Sequence, residues 1–328
     1  MINFTIRENQ GNQRLDRFLK KYFTKAPLSY IYKLIRKDVK VNGKRQDPET
    51  VLKAGDIITV YISEEEAQKM QKPIRIFQAK KQFTVVYEDE NIIAVDKPFG
   101  LLTHGDGREK KNHLANQVLD YLIAKGEYEP SLEKTFAPSP ANRLDRNTTG
   151  LVLFGKTSAA LQELNYMLRN RDFIDKFYVT VTAGIIENPM HLKDRMVKDE
   201  EKNIVSVSTG ENQGKVMDTE VFPLDYGYRD KGYTYAEVKI NTGRTHQIRV
   251  QLAKAGYPVI GDHKYGSDRV NNAVKKRYNL TTHLLHAGKL VFRTCREDGP
   301  LSYLQGKEIL CPLPRTFSRI KEDIFGKN

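Results

Sequence analysis

The chain has 328 residues, of which 29% are charged and 39% apolar, a composition typical of a soluble globular protein with room for two domains. Its net charge of +13 favours a polyanionic partner, nucleic acid before an acidic membrane. No run of eighteen apolar residues and no signal-peptide pattern is present, so we expect a cytoplasmic protein and exclude a membrane-spanning one.

The amino-terminal part of the sequence predicts two helices and a small sheet. Apolar residues between 15 and 23 recur at the spacing of one helix face, and a second helix is predicted to begin near Pro27. The Asn-Gly pair at 42–43 is a hairpin signal, so we expect a returning strand at residues 44–45. The apolar run 57–62 indicates the last strand of this unit.

This unit is strongly basic, with 13 Lys and Arg against six Asp and Glu in residues 1–62. Side chains on the helices that we expect to contact RNA are Arg17, Lys20, Lys33, Arg36 and Lys37. A face that is only solvated is the alternative. Four stretches resemble the αL-type RNA-binding domain: Leu15-Asp16-Arg17-Phe18-Leu19, Ile35-Arg36-Lys37, Val41-Asn42-Gly43 and Ala54-Gly55-Asp56. The resemblance implies docking on folded RNA through phosphates and shape.

The rest of the chain predicts a second, larger domain. Residues 63–82 are polar with little periodicity, which predicts a linker, and the domain is expected to span 83–328. Its predicted elements are a β-hairpin over 83–98, helices over 114–124 and 158–169, and strands over 172–181 and 233–241. The polar segment 192–217 predicts a hairpin excursion to which we assign no chemistry.

The stretch 141–150 carries the first candidate for chemistry. Asp145 stands between Arg143 and Arg146 in a turn-forming run that leads directly into the apolar strand 151–154. A carboxylate mounted on such a rigid edge can act as a nucleophile. Its local sequence fits an Asx turn or a loop ion pair at least as well, so the choice depends on the rest of the chain.

A second candidate follows the strand 233–241, where a turn at Gly243 leads into a predicted helix. His246 and Arg249 are three residues apart and share one face of that helix. Arg244 and Arg249 can hold phosphates or a buried carboxylate, and exposed helix charges are the alternative.

Cysteine and histidine usage argues against metal and disulfide chemistry. Cys295 and Cys311 form no Cys-x-x-Cys pair, which indicates reduced structural thiols. His283 and His286 are one helical turn apart, but the leucines between them favour a packed element over a metal site. We therefore expect no metal ion.

Several motifs, in the right order, resemble the pseudouridine synthases of the large-subunit rRNA and tRNA class. They are Asp96-Lys97-Pro98, Arg143-Leu144-Asp145-Arg146 with Thr149-Gly150, Lys176-Phe177-Tyr178, Gly243-Arg244-Thr245-His246-Gln247-Ile248-Arg249-Val250, Gly261-Asp262-His263-Lys264-Tyr265-Gly266 and Leu284-Leu285-His286-Ala287. The likeness is greatest to the branch that modifies 23S rRNA. It implies an α+β fold with a central mixed, largely antiparallel sheet and the active cleft across its middle.

The resemblance also implies an isomerisation without a cofactor, in which uracil is cut from its ribose, turned over and rejoined through a ring carbon. It aligns Asp145 with the nucleophile, Tyr178 with a tyrosine that stacks on the target base, and Arg249 with the aspartate's basic partner. The base must be flipped out of the RNA, so Arg143, Arg244 and Arg249 become candidate phosphate clamps. Sheet core is the alternative for Tyr178.

Two positions depart from the family pattern, because Asn142 and Gln251 stand where relatives commonly carry histidine. They leave fine positioning or substrate choice open. His246 is expected to support the RNA-contacting loop more than to do acid-base work.

The main alternative function is a non-catalytic RNA-binding factor for ribosome assembly, disfavoured because the aspartate, tyrosine and arginine are all present. A nuclease or deaminase would need clustered metal ligands, which the sequence lacks. The expected partner is 23S rRNA or the assembling large ribosomal subunit, and a monomer is the default.

Overall fold

The computed structural model describes residues 1–71, 77–199, 204–207, 214–228 and 232–326. Within these ranges, no helix combines the length and the apolar character needed to cross a membrane.

The amino-terminal unit packs two helices against small sheets. Its elements are β1 (Ile2–Thr5), β2 (Gln13–Arg14), α1 (Leu15–Tyr22), α2 (Leu28–Asp38), β3 (Val39–Val41), β4 (Val51–Leu52), β5 (Ile57–Val60) and α3 (Glu64–Lys69), with a 3-10 turn at Glu8–Gln10. Strand β5 lies between β1 and β3, and β2 pairs with β4. The apolar stripes of both helices are buried in one core, which confirms the two predicted helices.

The Asn42-Gly43 turn forms, with φ of 51° and 77°, but the strand predicted after it is wrong. Lys44 makes only a single bridge to Val41 and no strand follows at residues 44–45, while β3 pairs with β5. The Asn42 side chain accepts a hydrogen bond from Ile57 N at 2.9 Å and so ties the turn to β5. Val41 N and O bond to Lys44, whereas Asn42 N bonds to Ile57 O, so the bridge and β5 lie on opposite edges of β3.

The segment expected to link the two units is attached to both. Helix α3 buries Ala67 in the amino-terminal core. Further on, the backbone N–H groups of Phe77 and Ala79 donate to Asp120 of the larger unit at 3.1 and 2.7 Å. The domain boundaries themselves remain a prediction.

The larger unit is built on one long sheet. Its elements are β6 (Thr84–Glu88), β7 (Ile92–Lys97), α4 (Leu114–Ala124), β8 (Ser139–Pro140), β9 (Thr149–Gly155), α5 (Ser158–Arg169), β10 (Ile174–Ala183), β11 (Met190–Asp199), β12 (Ile204–Val207), β13 (Lys215–Gly227), β14 (Tyr233–Ile240), α6 (Gln247–Lys254), α7 (Asp268–Tyr278), β15 (Leu285–Phe292), β16 (Glu308–Leu310) and α8 (Arg315–Phe325), with a 3-10 turn at Ser302–Leu304. The sheet order is β12-β11-β13-β14-β10-β15-β9-β7-β6, with β16 on β15 and β8 on β9.

The sheet is mixed and largely antiparallel, as expected. In the described residues β9 and β15 run parallel, and the other recorded pairs are antiparallel. Alternating side chains cover both faces: Val152 and Phe154 pack with α4, while Leu151 and Leu153 pack with α5. Helix α6 adds Ile248 to the α4 side. This confirms the α+β fold class.

Candidate active site

The loop between β8 and β9, which carries Asp145, is fixed by hydrogen bonds within the loop and to strand β9. Asn142 accepts from Leu153 N at 2.8 Å, so the residue that departs from the family pattern ties the loop to β9. Thr148 N donates to the Asp145 carbonyl at 3.1 Å and closes the turn. Asp145 is therefore presented on a rigid turn, as expected for a site on a strand edge.

A buried lysine supports the same loop from below. Lys97 donates from Nζ to the carbonyl oxygens of Leu101, Arg146 and Pro98 at 2.8, 3.0 and 3.1 Å. Burial lowers the pKa of Lys97 to about 7, against the opposing charges of Asp145 and Asp96. The lysine acts on the loop backbone one residue beyond Asp145.

A glycine allows this loop to meet strand β15. Gly150 has φ of 108°, and a Cβ atom on it would lie 2.2 Å from the carbonyl oxygen of Ala287. Only glycine fits there, because the backbones of the parallel pair approach too closely for any side chain.

One buried arginine connects two aspartates. Arg249, in the first turn of α6, grips Asp262 with two hydrogen bonds, from Nε at 2.7 Å and from Nη2 at 2.8 Å. Its third nitrogen, Nη1, donates to Asp145 Oδ2 at 3.3 Å. The Asp262 side chain is 1% exposed, whereas that of Asp145 is 30% exposed. Asp145 thus keeps most of its oxygen lone pairs available to the cleft.

Charge favours the ionised form of this pair. Burial alone would raise the pKa of Asp262, but the hydrogen bonds and charge of Arg249 outweigh it and hold that pKa below the usual value. The pKa of Arg249 is raised despite burial, chiefly by Asp262 and then by Asp145. The guanidinium is consequently a permanent cation beside Asp145.

His246 reaches Asp145 from the same helix terminus. It caps α6 in the left-handed conformation, with φ of 54°, and its Nε2 lies 3.7 Å from Asp145 Oδ2. Its Nδ1 lies 2.8 Å from the Tyr265 hydroxyl, which accepts from Val205 N at 3.0 Å. Tyr265 can therefore donate its own proton to Nδ1, leaving the histidine proton on Nε2, facing Asp145. Burial lowers the pKa of His246, which favours this neutral form.

Tyr178 lies on β10 at the wall of the same cleft. It is buried, it stands opposite Val238 of β14 and Ala287 of β15 in the sheet register, and it lines the cavity with Asp145. Burial raises the pKa of Tyr178, and the nearby charge of Asp145 raises it further. The phenol therefore stays protonated at neutral pH.

Asp145 and Tyr178 border an open cleft of about 560 Å³, and with His246 and Arg249 they also line a smaller cavity. Arg143 and Arg244 are exposed at the rim of the cleft. Arg244 donates from Nε to the carbonyl oxygen of Val216 at 3.2 Å. Arg143 forms no ion pair within the described part of the chain, so Asp145 receives its hydrogen bond from the distant Arg249 and not from this neighbour.

The basic residues predicted on the amino-terminal unit lie apart from the cleft lining. Arg17, Lys33, Arg36 and Lys37 are exposed on α1 and α2. Lys20 is half-buried and donates to the carbonyl oxygen of Ala26.

Residues whose roles the sequence left open complete the site. Asp262 and Tyr265 belong to a motif that was noted without a role, and both contact Arg249, the tyrosine ring at 5.2 Å from the guanidinium carbon. Lys97 belongs to another such motif. The sequence marked these residues only as members of family motifs. It could not show their contacts, because those contacts join distant parts of the chain.

No metal centre is found in the part of the chain that the structure describes, where no three His, Cys, Asp or Glu side chains are grouped suitably. His283 and His286 are buried and hydrogen-bond to Thr148 and Thr149 at 2.9 and 2.8 Å, which confirms the predicted packed element. Cys295 and Cys311 are buried and free.

Comparisons with known proteins show which family the chain resembles. Residues 91–254 match the family model described as RNA pseudouridylate synthase. An "Uncharacterized RNA pseudouridine synthase" of Mycoplasma capricolum is 32% identical over 321 residues, 94% of this chain and 97% of that protein. The "Ribosomal large subunit pseudouridine synthase C" of Vibrio parahaemolyticus is 31% identical and covers 89% of each chain.

The fold agrees as well. The solved structure titled "Human RNA Pseudouridylate Synthase Domain Containing 4" matches 73% of this chain and 92% of its own, with a TM-score of 0.56 and 20% identity.

Proposed function

This chain belongs to the RNA pseudouridylate synthase family, and from that premise we propose that it isomerises specific uridines of 23S rRNA with Asp145 as the nucleophile. The enzyme class is an isomerase that acts on RNA. The choice of 23S rRNA is supported by the similar Vibrio protein, whose name refers to the large ribosomal subunit. The cytoplasm remains our prediction for its location.

The observation that carries the proposal is the state of the Asp145 carboxylate. It receives one hydrogen bond from Arg249, opens to a cleft, and lies on a loop fixed by Lys97 and Asn142. A carboxylate that is oriented but still accessible has the properties of a nucleophile. Asp262, closed on every side, does not.

The reaction breaks the bond between uracil N1 and ribose C1′, forms a bond from C5 to C1′, releases the C5 proton to water and adds a proton to N1. Asp145 would hold the intermediate while the base turns, and the Arg249 guanidinium would keep the carboxylate oriented. The flipped uracil would pack on the Tyr178 ring. Because a raised pKa keeps the phenol protonated and makes it a weaker acid, Tyr178 suits the roles of aromatic platform and hydrogen-bond donor better than that of base.

Binding of the RNA is assigned to basic groups outside the reacting centre. Arg143 and Arg244 at the rim, with His246 behind them, would contact the flipped nucleotide. The exposed helix cations Arg36 and Lys37 would dock the amino-terminal unit on folded RNA, in the manner of an αL-type domain. Replacing Arg36 and Lys37 by Gln should weaken rRNA binding and flatten its salt dependence, and an unchanged slope would refute this docking role.

The nucleophile is tested with Asp145→Asn on 23S rRNA labelled with tritium at uracil C5, since isomerisation releases that hydrogen. Turnover should fall by a factor on the order of 10⁴ while the Kd for rRNA changes little. The matched control is Asp106→Asn, an exposed carboxylate that pairs with Arg146 of the same loop at 3.5 Å and should leave turnover intact.

Retained activity in Asp145→Asn would remove the nucleophile assignment. Wild-type protein that binds 23S rRNA without releasing tritium would favour the ribosome-assembly alternative. Mapping pseudouridines in 23S rRNA from cells with and without the gene identifies the modified position.

A further inference from the structure

Lys176 is a half-buried lysine in the cleft for which the described residues supply no ion-pair partner. It lies on β10, two residues from Tyr178 and on the same face of the strand, and it lines the cleft with Asp145. Across the described residues, its ammonium group makes no ion pair and no hydrogen bond. Burial lowers the pKa of Lys176, although the charge of Asp175 opposes this.

Neighbouring lysines of the same sheet are treated differently. Lys239 on β14 pairs with Asp175 at 3.2 Å, and Lys289 on β15 pairs with Glu237 at 3.2 Å. Both also lie over the ring of Phe177, on the opposite face from Lys176. The two lysines on one face of the sheet therefore have ion-pair partners. Lys176, on the face that borders the cleft, has none among the described residues.

Other cations share this part of the cleft. Arg143 on the Asp145 loop and Arg169 in the last turn of α5 are exposed there, and within the described ranges neither has an ion-pair partner. Arg171 lines the same wall and shares Asp218 with His191. A partly desolvated cation without a hydrogen-bonded counter-charge is unfavourable, so a cluster of this kind favours an anionic ligand.

We propose that Lys176, together with Arg143 and Arg169, forms a subsite for a backbone phosphate of the RNA strand next to the flipped uridine. The subsite rests on the proposed function, because it takes RNA as the occupant of the cleft. Phosphate oxygens can accept from several cations at once, as this arrangement requires. The subsite would fix the strand beside the base that packs on Tyr178, and so set the depth to which the nucleotide enters.

The test is the salt dependence of binding to a fluorescein-labelled single-stranded oligouridylate. Loss of one phosphate contact lowers the slope of log Kd against log salt by about 0.7. We expect Lys176→Gln to lose this amount and roughly fivefold to tenfold in affinity. Lys176→Arg should restore both, and the matched control Lys239→Gln, on the paired face, should retain the wild-type slope.

A second arm identifies the phosphate as the contacted group. On an oligouridylate whose linkages are neutral methylphosphonates, wild-type protein and Lys176→Gln should bind equally. A persistent difference on that probe, or equal slopes on the natural one, would overturn the proposal. Arg169→Gln, on the exposed last turn of α5, gives an independent variant that should also lower the slope.

The binding readout separates this proposal from the proposed function. If the wild type releases no tritium from 23S rRNA but Lys176→Gln still lowers the slope, the proposed function fails and the subsite stands. If the wild type is active and the slopes are equal, the subsite fails alone.

Discussion

Two loops meet at Arg249, and they hold their aspartates in opposite ways. The loop 261–266 buries Asp262 against two nitrogens of the guanidinium, at 2.7 and 2.8 Å. The loop 143–149 presents Asp145 to the third nitrogen at 3.3 Å and to the cleft. The same cation thus anchors one carboxylate and orients the other. The difference indicates that Asp145 can stay accessible because Asp262 holds Arg249 in place.

The loops also differ in what supports them. Loop 143–149 depends on Lys97, a single buried ammonium group that bonds three carbonyl oxygens. Loop 261–266 is held by Asn271, which accepts from Gly261 N at 2.8 Å and donates to the Asp262 carbonyl at 3.0 Å. The support of loop 143–149 can therefore lose a proton, whereas that of loop 261–266 is a neutral amide.

The largest effect is expected from Asp262→Ala. Removing this partner leaves Arg249 buried with only the single, longer bond to Asp145, which should cost about 3–5 kcal/mol of unfolding free energy. Asp145→Ala leaves the bidentate pair intact, so it should change stability by less than about 1 kcal/mol. Urea unfolding of the two variants beside wild type measures the contrast.

Acid should weaken the same contrast. The pKa of Asp262 is lowered in the folded protein, so its stabilisation is fully present above its unfolded pKa and is lost as pH falls through the folded value. The gap between wild type and Asp262→Ala should therefore close in acid. Equal destabilisation by the two alanine variants at neutral pH would contradict the anchor role of Asp262.

A smaller effect, on pH dependence, is expected from Lys97→Met. The pKa of Lys97 falls from 10.5 to about 7 on folding, so between these values the unfolded chain binds a proton that the folded chain lacks. Stability should consequently rise with pH across this window, by up to about 1.4 kcal/mol per pH unit. Lys97→Met should lack this rise.

The measurement is the unfolding free energy of both proteins from pH 7 to 9. Leu304→Ala, which changes a buried side chain that binds no proton, serves as the control and should keep the wild-type slope. Parallel curves for wild type and Lys97→Met would show that the three carbonyl oxygens hold the ammonium form.

Sequence reasoning succeeded where local periodicity decides structure, as in α1, whose apolar stripe matches its buried face, and in α4 and α5, whose bounds were predicted correctly. It failed at Lys44 and Arg45, because the chain leaves β3 after a single bridge and the strand that pairs with β3 is the more distant β5. The local sequence predicted the turn correctly but could not identify the strand that pairs with β3.

The site shows the same limit. Arg143, two residues from Asp145, makes no ion pair among the residues described, whereas Arg249, 104 positions along the chain, donates to it. The resemblance suggested Arg249, but neither Asp262 nor Tyr265 had an assigned role, because their contacts form only when the loop 261–266 folds against α6. Proximity in sequence is a poor guide to partners in a site assembled from separate loops.

The smallest effect is expected from Tyr265→Phe, which tests whether loop 261–266 influences Asp145 through His246. The variant keeps the aromatic ring beside Arg249 but loses the hydroxyl that bonds His246 Nδ1 at 2.8 Å. Without that bond, His246 is free to place its proton on either nitrogen. Turnover should fall about fivefold to tenfold, the equivalent of one hydrogen bond, with KM for rRNA unchanged.

The nitrogen NMR shifts of His246 report the same change directly, since they distinguish a proton on Nε2 from one on Nδ1. Wild type should show the Nε2–H form and the variant a mixture. Tyr303→Phe is the control, because its hydroxyl bonds Asp89 at 2.8 Å, outside the cleft lining. Unchanged turnover together with an unchanged His246 tautomer would mean that loop 261–266 acts on Asp145 through Arg249 alone.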